Sequence, residues 1–221
     1  MKHIIAISKM LEYTLNKQLL TIAFVIPPIF MNAQERPKLF FREDFKEIPE
    51  EIPVTQNHIA NTNLLISLYG KGANLIKKSH HDTPYDDPYY IWSGLCQDNW
   101  AVTLKHKSKF VNLSGQAKIR WRSKQSGFRQ LHLIIKLADG TWLISDMFDS
   151  SSKDWRIKEF NIQDIKWMTL DIESMVEKKW IINPDLSKVE EIGWTDLMRG
   201  GESEACSRID WIEVDGFLAK K

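Results

Sequence analysis

The chain has 221 residues, of which 43% are hydrophobic, and its 30 basic and 29 acidic side chains leave a formal net charge of +1. This length is enough for one domain with a good core, and the balanced charge argues against a nucleic-acid-binding protein, which normally carries a basic excess. The mean hydropathy is −0.33, and no unbroken apolar run reaches the length of about 18 residues that a membrane span requires.

The first 33 residues have the pattern of a secretory signal peptide. Three lysines give the start a positive charge, residues 19–30 (LLTIAFVIPPIF) are apolar, and Ala33 ends the segment as a cleavage site. A membrane anchor is the alternative, but Pro27-Pro28 would break a helix within this short stretch. We therefore predict a secreted or periplasmic protein whose single domain comprises residues 34–221.

The two cysteines, Cys96 and Cys206, both lie in this domain. Because an exported protein enters an oxidising compartment, the sequence predicts that they form one disulfide. Two separate buried thiols are the alternative.

Short strands dominate the rest of the chain. The predicted strands are residues 40–45, 63–69, 100–104, 116–122, 131–137, 141–144, 155–162 and 208–214, most of them bounded by Gly, Ser, Asn or Asp. Ala138-Asp139-Gly140 joins two of them as a hairpin turn in which Gly140 supplies a positive φ. Only residues 172–179 have a pattern that fits a turn or two of helix. Spaced strands without long helices predict a β-sandwich.

Two of these strands alternate strictly between apolar and polar residues. The apolar positions, which we expect in the core, are Ala117, Ile119, Trp121, Leu131, Leu133, Ile135 and Leu137. The opposite faces carry Lys118, Arg120, Arg122, His132 and Lys136. If the strands are neighbours, these cations form one surface suited to carboxylate or sulfate groups. A solvated face relieved by acidic neighbours is the alternative.

Nine tryptophans are an unusual number for this length. Trp100, Trp121 and Trp211 lie in strand patterns and are predicted to be core residues. Trp142, Trp155, Trp167 and Trp180 lie near turns or in polar surroundings, where exposure and burial are equally expected. Because the C–H faces of sugar rings stack on indole, Trp142 or Trp92 is expected at the edge of a binding surface.

From residue 111 onward the order of elements follows a known pattern. Residues 111–115 (VNLSG) lead into a strand, the hairpin follows, and residues 184–194 (PDLSKVEEIGW) precede a last strand containing Ile209-Asp210-Trp211-Ile212. This pattern resembles the galactose-binding-like jelly rolls, in particular carbohydrate-binding modules of family eleven and the complex-I-intermediate-associated type. The resemblance covers about half the chain and implies an all-β, jelly-roll β-sandwich that binds carbohydrate.

The chain departs from this pattern in two places. The loop of residues 79–92, rich in His, Asp and Tyr, has no counterpart in it. The last strand has apolar residues at both odd and even positions, so it is either buried on both faces or bulged.

The resemblance also implies a structural calcium ion between the first and last strands. Glu43, Asp44 and Asp210 are the oxygen donors expected to hold it, with ordinary surface carboxylates as the alternative. A second candidate metal site is the loop with Asp82, Asp86 and Asp87 beside His80 and His81, which equally fits a plain polar loop.

These observations predict a secreted carbohydrate-binding protein that recognises an acidic, uronate-containing polysaccharide. Its predicted ligand-binding residues are Arg120, Arg122, His132, Lys136, Trp142 and Trp92. The alternative is a polysaccharide lyase or glycoside hydrolase of uronate-containing glycans, in which His132 or one of Tyr85, Tyr89 and Tyr90 would act as the base. An assembly factor without a small ligand is a third interpretation, which export disfavours.

Overall fold

The structure, a computed structural model, describes residues 35–197 and 205–221. Within these ranges no helix is long and apolar enough to span a membrane, and the predicted signal peptide lies outside them. The fourteen strands are β1 (Lys38–Glu43), β2 (Leu64–Tyr69), β3 (Lys77–Ser79), β4 (Tyr90–Trp92), β5 (Ala101–His106), β6 (Lys109–Asn112), β7 (Lys118–Gln125), β8 (Leu131–Leu137), β9 (Trp142–Asp149), β10 (Arg156–Asn161), β11 (Trp167–Asp171), β12 (Val176–Ile181), β13 (Val189–Asp196) and β14 (Ser207–Lys220). Three short 3-10 helices, Gln56–His58, Ala73–Leu75 and Ile162–Asp164, are the helical elements of the described chain.

The strands form two antiparallel sheets. In sheet A, β7 lies between β10 and β14, β14 also pairs with β1 and β4, and β4 pairs with β3. In sheet B the order is β2-β5-β13-β8-β9-β11-β12, and β6 pairs with β13. Because β14 leaves sheet A after Gly216 and pairs with β6 through Phe217–Lys220, the last strand joins the two sheets. The predicted all-β, jelly-roll sandwich is confirmed.

The core fills the space between the sheets. Its largest fully buried side chains include Trp100, Trp121, Trp167, Trp194 and Phe160. The predicted alternation in β7 is confirmed, since Ile119 and Trp121 are fully buried while Arg120 and Arg122 remain partly exposed. The core prediction for Leu133, Ile135 and Leu137 in β8 is also confirmed.

The opposite face of β8 differs from the expectation. His132 and Ile134 are buried as well, and only Lys136 is partly exposed. The cause is a second, smaller apolar cluster on the outside of sheet B, formed by Ala101, Ile134, Trp142, Ile144, Leu170 and Met175. Alternation therefore correctly assigns His132 and Ile134 to the outer face of β8, but both are buried there.

The hairpin predicted between β8 and β9 is present. The Gly140 N–H donates to the Leu137 carbonyl oxygen at 3.0 Å, and Gly140 has the expected positive φ of 90°. The prediction of helical turns in residues 172–179 is wrong, because Met175 at φ 51° closes a turn between the antiparallel strands β11 and β12. The β-branched and aromatic residues Val176, Trp180 and Ile181 favour the strand.

The predicted disulfide is also wrong. Cys96 and Cys206 are both buried free thiols. The Cys206 sulfur lies 3.2 Å from Oγ of Ser126, and burial raises the pKa of the Cys96 thiol to about 12. Two separate buried thiols, the alternative interpretation, describe the structure.

Candidate functional site

An open cavity of about 680 Å³ lies on the outside of sheet A. We call it the sheet-A cavity. Its lining comes from the end of β1 and the following turn, from β7 and β14, and from the loop before β4; the residues are Arg42, Asp44, Phe45, Glu47, His80, Tyr85, Asp86, Asp87, Pro88, Tyr89, Arg122, Asp210 and Trp211.

An irregularity in β14 brings two successive side chains to this cavity. The register of β14 against β7 shifts between Ile209 and Trp211, while Ile209 and Ile212 stay in the core. A bulge inserts one extra residue, so Asp210 and Trp211 both reach the outer side. The bulged alternative for this strand is confirmed, and the prediction of Trp211 as a core residue is wrong.

Two arginines of the cavity are fixed by carboxylates and by indole rings. Arg122 donates to Asp210 at 2.8 Å, and its guanidinium lies 5.4 Å from the ring centre of Trp155. Arg42 donates to Asp44 at 2.7 Å, and its guanidinium lies 4.2 Å above Trp211. Each guanidinium plane is therefore held in one orientation beside an aromatic face.

Behind this surface lies a buried lysine. Lys78 is fully buried, and its ammonium nitrogen has no hydrogen-bond acceptor among the described residues. The nitrogen lies 4.4 Å from the ring centre of Tyr89. Burial lowers the pKa of Lys78 to about 8, and the charges of Asp210 and Glu47 oppose this shift. A buried, unpaired charge next to a cavity costs stability and so marks a candidate functional site.

The loop before β4 adds an aromatic wall. The rings of His80 and Tyr89 stack in parallel, with their centres 4.1 Å apart, and Tyr85 is 94% exposed. The loop is held by His81, whose Nδ1 lies 2.8 Å from Asp87 and 2.9 Å from the hydroxyl of Tyr90. The segment without a counterpart in the family pattern thus forms one side of the cavity.

The three predicted metal ligands do not form one metal-binding group in the described residues. Glu43 is fully buried and accepts hydrogen bonds from the backbone N–H groups of Phe45, Ala60 and Asn61. Asp44 and Asp210 are paired with arginines instead. Within residues 35–197 and 205–221, no three His, Cys, Asp or Glu side chains form a group that could hold a metal ion, and this includes the loop carrying Asp82, Asp86 and Asp87 beside His80 and His81.

The predicted binding surface is divided between the two sheets. Arg120, Arg122 and Trp92 belong to sheet A, whereas His132, Lys136 and Trp142 belong to sheet B. Since β7 and β8 are not neighbours, the condition for one shared cationic surface is not met. Of these six residues, Arg122 alone lines the sheet-A cavity.

Arg120 illustrates the solvated-face alternative. It forms ion pairs with Glu213 and with Asp215, the latter at 2.7 Å. Glu213 also accepts a hydrogen bond from Arg42 at 3.0 Å. The cations on the outside of sheet A are therefore neutralised by carboxylates on neighbouring strands.

The outside of sheet B carries a separate polar cluster around Glu191. This carboxylate is 2% exposed and accepts hydrogen bonds from Tyr69 at 2.9 Å, Thr103 at 2.7 Å and Lys136 at 3.2 Å. Burial raises the pKa of the Tyr69 hydroxyl to about 12, and the charge of Glu191 adds to this. Trp142 packs edge-on against Tyr69 with ring centres 5.1 Å apart.

His132, predicted as a ligand or proton-transfer residue, is a structural residue of sheet B. Its Nδ1 bonds to the carbonyl oxygen of Ser145 at 2.8 Å, and burial lowers the pKa of the imidazole. A base specific for uronates would act beside Arg120 and Arg122, but these arginines lie on sheet A and His132 lies on sheet B.

Comparison with known proteins finds similarity only at the level of structure. No family model and no curated sequence matches the chain. It is similar to the family 11 carbohydrate-binding module of the cellulosomal cellulase Lic26A-Cel5E of Clostridium thermocellum, at 11% identity over 82% of this chain and 95% of that one, with a TM-score of 0.44. A family 11 module from the same organism in complex with a β-1,3-1,4-mixed-linked tetrasaccharide has 12% identity, coverage of 83% and 98%, and a TM-score of 0.43.

Longer enzymes also contain a similar region. An exo-β-agarase matches at 9% identity over 72% of this chain but only 24% of its own, with a TM-score of 0.40. The similarity to family 11 modules that the sequence pattern indicated is thus found. At such identities it concerns the fold, and the ligand has to be inferred from the residues of the chain itself.

Proposed function

We propose that this protein binds carbohydrate in the sheet-A cavity. The observation that carries the proposal is the pair of arginine–carboxylate contacts, Arg122 with Asp210 and Arg42 with Asp44, each beside an indole ring at one open cavity. Sugar hydroxyls both donate and accept hydrogen bonds, so fixed guanidinium donors next to fixed carboxylate acceptors suit them. The exposed ring of Tyr85, which also lines the cavity, suits the C–H face of a sugar ring.

The charges in the cavity bear on which glycan binds. Five carboxylates line it, from Asp44, Glu47, Asp86, Asp87 and Asp210, against the guanidinium groups of Arg42 and Arg122. A polyanion would have to compete with carboxylates that already hold both arginines. We therefore expect neutral glycans to bind at least as tightly as uronates.

The finer prediction of a uronate preference has one observation in its favour. The ammonium of Lys78 lies behind Tyr89 without a hydrogen-bond acceptor among the described residues, so a cation remains there to attract a ligand carboxylate. If uronates are preferred, Lys78→Met should reduce the affinity for oligouronates more than the affinity for neutral oligosaccharides. Calorimetric titration with both classes measures this difference.

Two arginines of β7 provide the main test. Arg122 and Arg120 have side chains that are 36% and 35% exposed and are both paired with carboxylates, but only Arg122 lines the cavity. Arg122→Ala should weaken glycan binding by about 10- to 100-fold, the loss expected for a hydrogen bond to a charged group. Arg120→Ala is the matched control and should leave the affinity unchanged. Equal losses in the two variants, or none, would place the binding site elsewhere.

An enzyme remains the second candidate because His80 and Tyr89 line the same cavity as Arg122. This places an imidazole and a phenol, the side chains that a lyase uses as acid and base, beside a guanidinium. Incubation with polygalacturonate and neutral glycans separates the two functions. New reducing ends or unsaturated products indicate an enzyme, whereas retention without turnover indicates a binding protein.

Export and calcium binding complete the proposal. The pattern of residues 1–33 supports export, and mass spectrometry of the expressed protein should find a chain that begins at Gln34. The family resemblance supports a structural calcium ion, which would need ligands other than the three carboxylates first expected. A rise in melting temperature on addition of Ca²⁺ would demonstrate it.

A further inference from the structure

A second, larger cavity lies away from the sheet-A cavity. Its volume is about 730 Å³, and we call it the end cavity. Three segments line it: residues 113–115 before β7, residues 162–167 around the last 3-10 helix, and residues 180–186 after β12. The two cavities share no lining residue: Gly115, in the end cavity, precedes β7, whereas Arg122, in the sheet-A cavity, lies within that strand.

One side of the end cavity is apolar and exposed. Trp180 is 58% exposed and Ile182 is 89% exposed, whereas Trp167, also in the lining, is 2% exposed and belongs to the core. Large apolar side chains exposed at the rim of a concave surface are typical of a binding site. An indole beside an open cavity is the feature that the sequence predicted for a carbohydrate-binding protein, here at Trp180.

The loop after β12, which lines the end cavity, is held in place. The Leu113 N–H donates to the Leu186 carbonyl oxygen at 2.9 Å, and the Ser187 N–H donates to Asp185 at 2.9 Å. Asn183 at φ 50° turns the chain between these contacts and β12, a conformation that asparagine tolerates well. The loop is therefore fixed before any ligand arrives, which reduces the entropy lost on binding.

Polar groups complete the lining of the end cavity. Asp164, Asp185, Asn183 and Lys166 provide carboxylate, amide and ammonium groups. Gln163 adds a second amide and Ser114 a hydroxyl. Two carboxylates, two amides, one hydroxyl and one cation suit a ligand with many hydroxyl groups better than they suit an anion. A ring with one apolar face and a hydroxyl edge matches an exposed indole in the same cavity as such groups.

We infer that the end cavity is a second glycan-binding site, in which a neutral sugar ring stacks on Trp180. The inference rests on the proposed function, since it assigns a second site for the same class of ligand. Two sites in one domain make the protein bivalent toward a long polysaccharide. The second contact then becomes intramolecular and raises the affinity for polymers above that for short oligosaccharides.

The test compares two exposed residues of β12. Trp180→Ala removes the stacking surface, while Val176→Ala, at a position 48% exposed on the same strand and outside the cavity lining, is the matched control. Soluble β-glucan, xylan and polygalacturonate are titrated as polymers and as short oligosaccharides. Trp180→Ala should reduce the affinity for a bound neutral polymer at least tenfold and abolish the tryptophan fluorescence change that arises at this site, with an unchanged melting temperature.

Oligosaccharide stoichiometry separates the two proposals. Wild type should bind two short oligosaccharides, and Arg122→Ala and Trp180→Ala should each bind one. If Trp180→Ala behaves like Val176→Ala and wild type binds a single oligosaccharide, the end-cavity site is refuted while the sheet-A site stands. If Trp180→Ala alone removes binding and Arg122→Ala has no effect, the sheet-A proposal is refuted while the end-cavity site stands. If wild type binds none of these glycans, both proposals fail.

Discussion

The outer faces of the two sheets have similar sequence patterns but different structures. On sheet A, the polar residues of β7 remain partly exposed and pair with carboxylates around an open cavity. On sheet B, Ile134 of β8 belongs to a second apolar cluster, His132 is buried as well, and the carboxylate of Glu191 beside Lys136 is buried. The same alternation thus produces a candidate binding surface at β7 and a largely buried, structural face at β8. The side chains of neighbouring strands decide which outcome occurs.

The largest expected effect comes from Glu191. Glu191→Ala leaves Tyr69 and Thr103 without their shared acceptor and removes one of the two carboxylates that contact Lys136. Losing two hydrogen bonds to a charged group in a buried position costs about 3–5 kcal/mol of unfolding free energy. Glycan binding by the protein that remains folded should be unchanged, because Glu191 lines neither the sheet-A cavity nor the end cavity. Denaturant unfolding and calorimetric titration measure the two quantities.

Glu190 is the matched control for Glu191. It also contacts the Lys136 ammonium, at 3.1 Å, but its side chain is 20% exposed rather than 2%. Glu190→Ala should therefore cost less than about 1 kcal/mol, as for partly exposed ion pairs. A loss of glycan affinity in Glu191→Ala would contradict the division between a structural face and a binding face.

A smaller effect, of opposite sign, is expected at Lys78. Lys78→Met removes an unpaired buried charge and should raise the unfolding free energy by about 1–3 kcal/mol near neutral pH. The folded-state pKa of about 8 lies below the ordinary value of 10.5, so below pH 8 the ammonium is charged in both states and its burial is costly. As the pH rises from about 8 toward 10.5, the folded state loses its proton first, wild type gains stability, and the advantage of the variant shrinks.

Lys77→Met provides the comparison for this effect. Lys77 is partly exposed and lies 2.5 Å from Glu50, so its replacement should not stabilise the protein. Thermal unfolding of the three proteins between pH 7 and pH 10.5 gives the result. A Lys78→Met variant less stable than wild type at pH 7 would show that the ammonium has a partner that stabilises the fold.

Much of the fold could be predicted from the sequence because period-two alternation identifies the core face of a strand. Ile119 and Trp121 follow this rule, as do Leu133 and Ile135. Alternation does not reveal which strands are neighbours, so the shared cationic surface depended on a pairing of β7 with β8, and these strands belong to different sheets. Pairing between strands distant in the chain depends on tertiary packing, which a local pattern does not encode.

The candidate site was harder to predict than the fold. Strand alternation correctly places Arg122 on the outer face of β7. Trp211 also reaches the outer face, but only because a bulge in β14 interrupts the alternation there. Lys78 lies in the short, polar strand β3, whose sequence Lys-Lys-Ser has no apolar alternation. Its burial arises from Tyr89 and the loop before β4, a segment for which the family pattern offered no counterpart.

The smallest expected effect concerns the cysteines. The sequence predicted that they form a stabilising disulfide, whereas the structure has two free thiols. A disulfide closing a loop of this length would contribute about 4–5 kcal/mol, and a reductant would remove that contribution. With Cys96 and Cys206 as free buried thiols, the melting temperature of folded protein should be the same with and without dithiothreitol. Cys206→Ser is the companion variant, because the Cys206 sulfur already lies 3.2 Å from the Ser126 hydroxyl and a serine there retains a polar partner. A fall in melting temperature of several degrees in reductant, absent in Cys206→Ser, would mean that the two sulfurs bridge in solution.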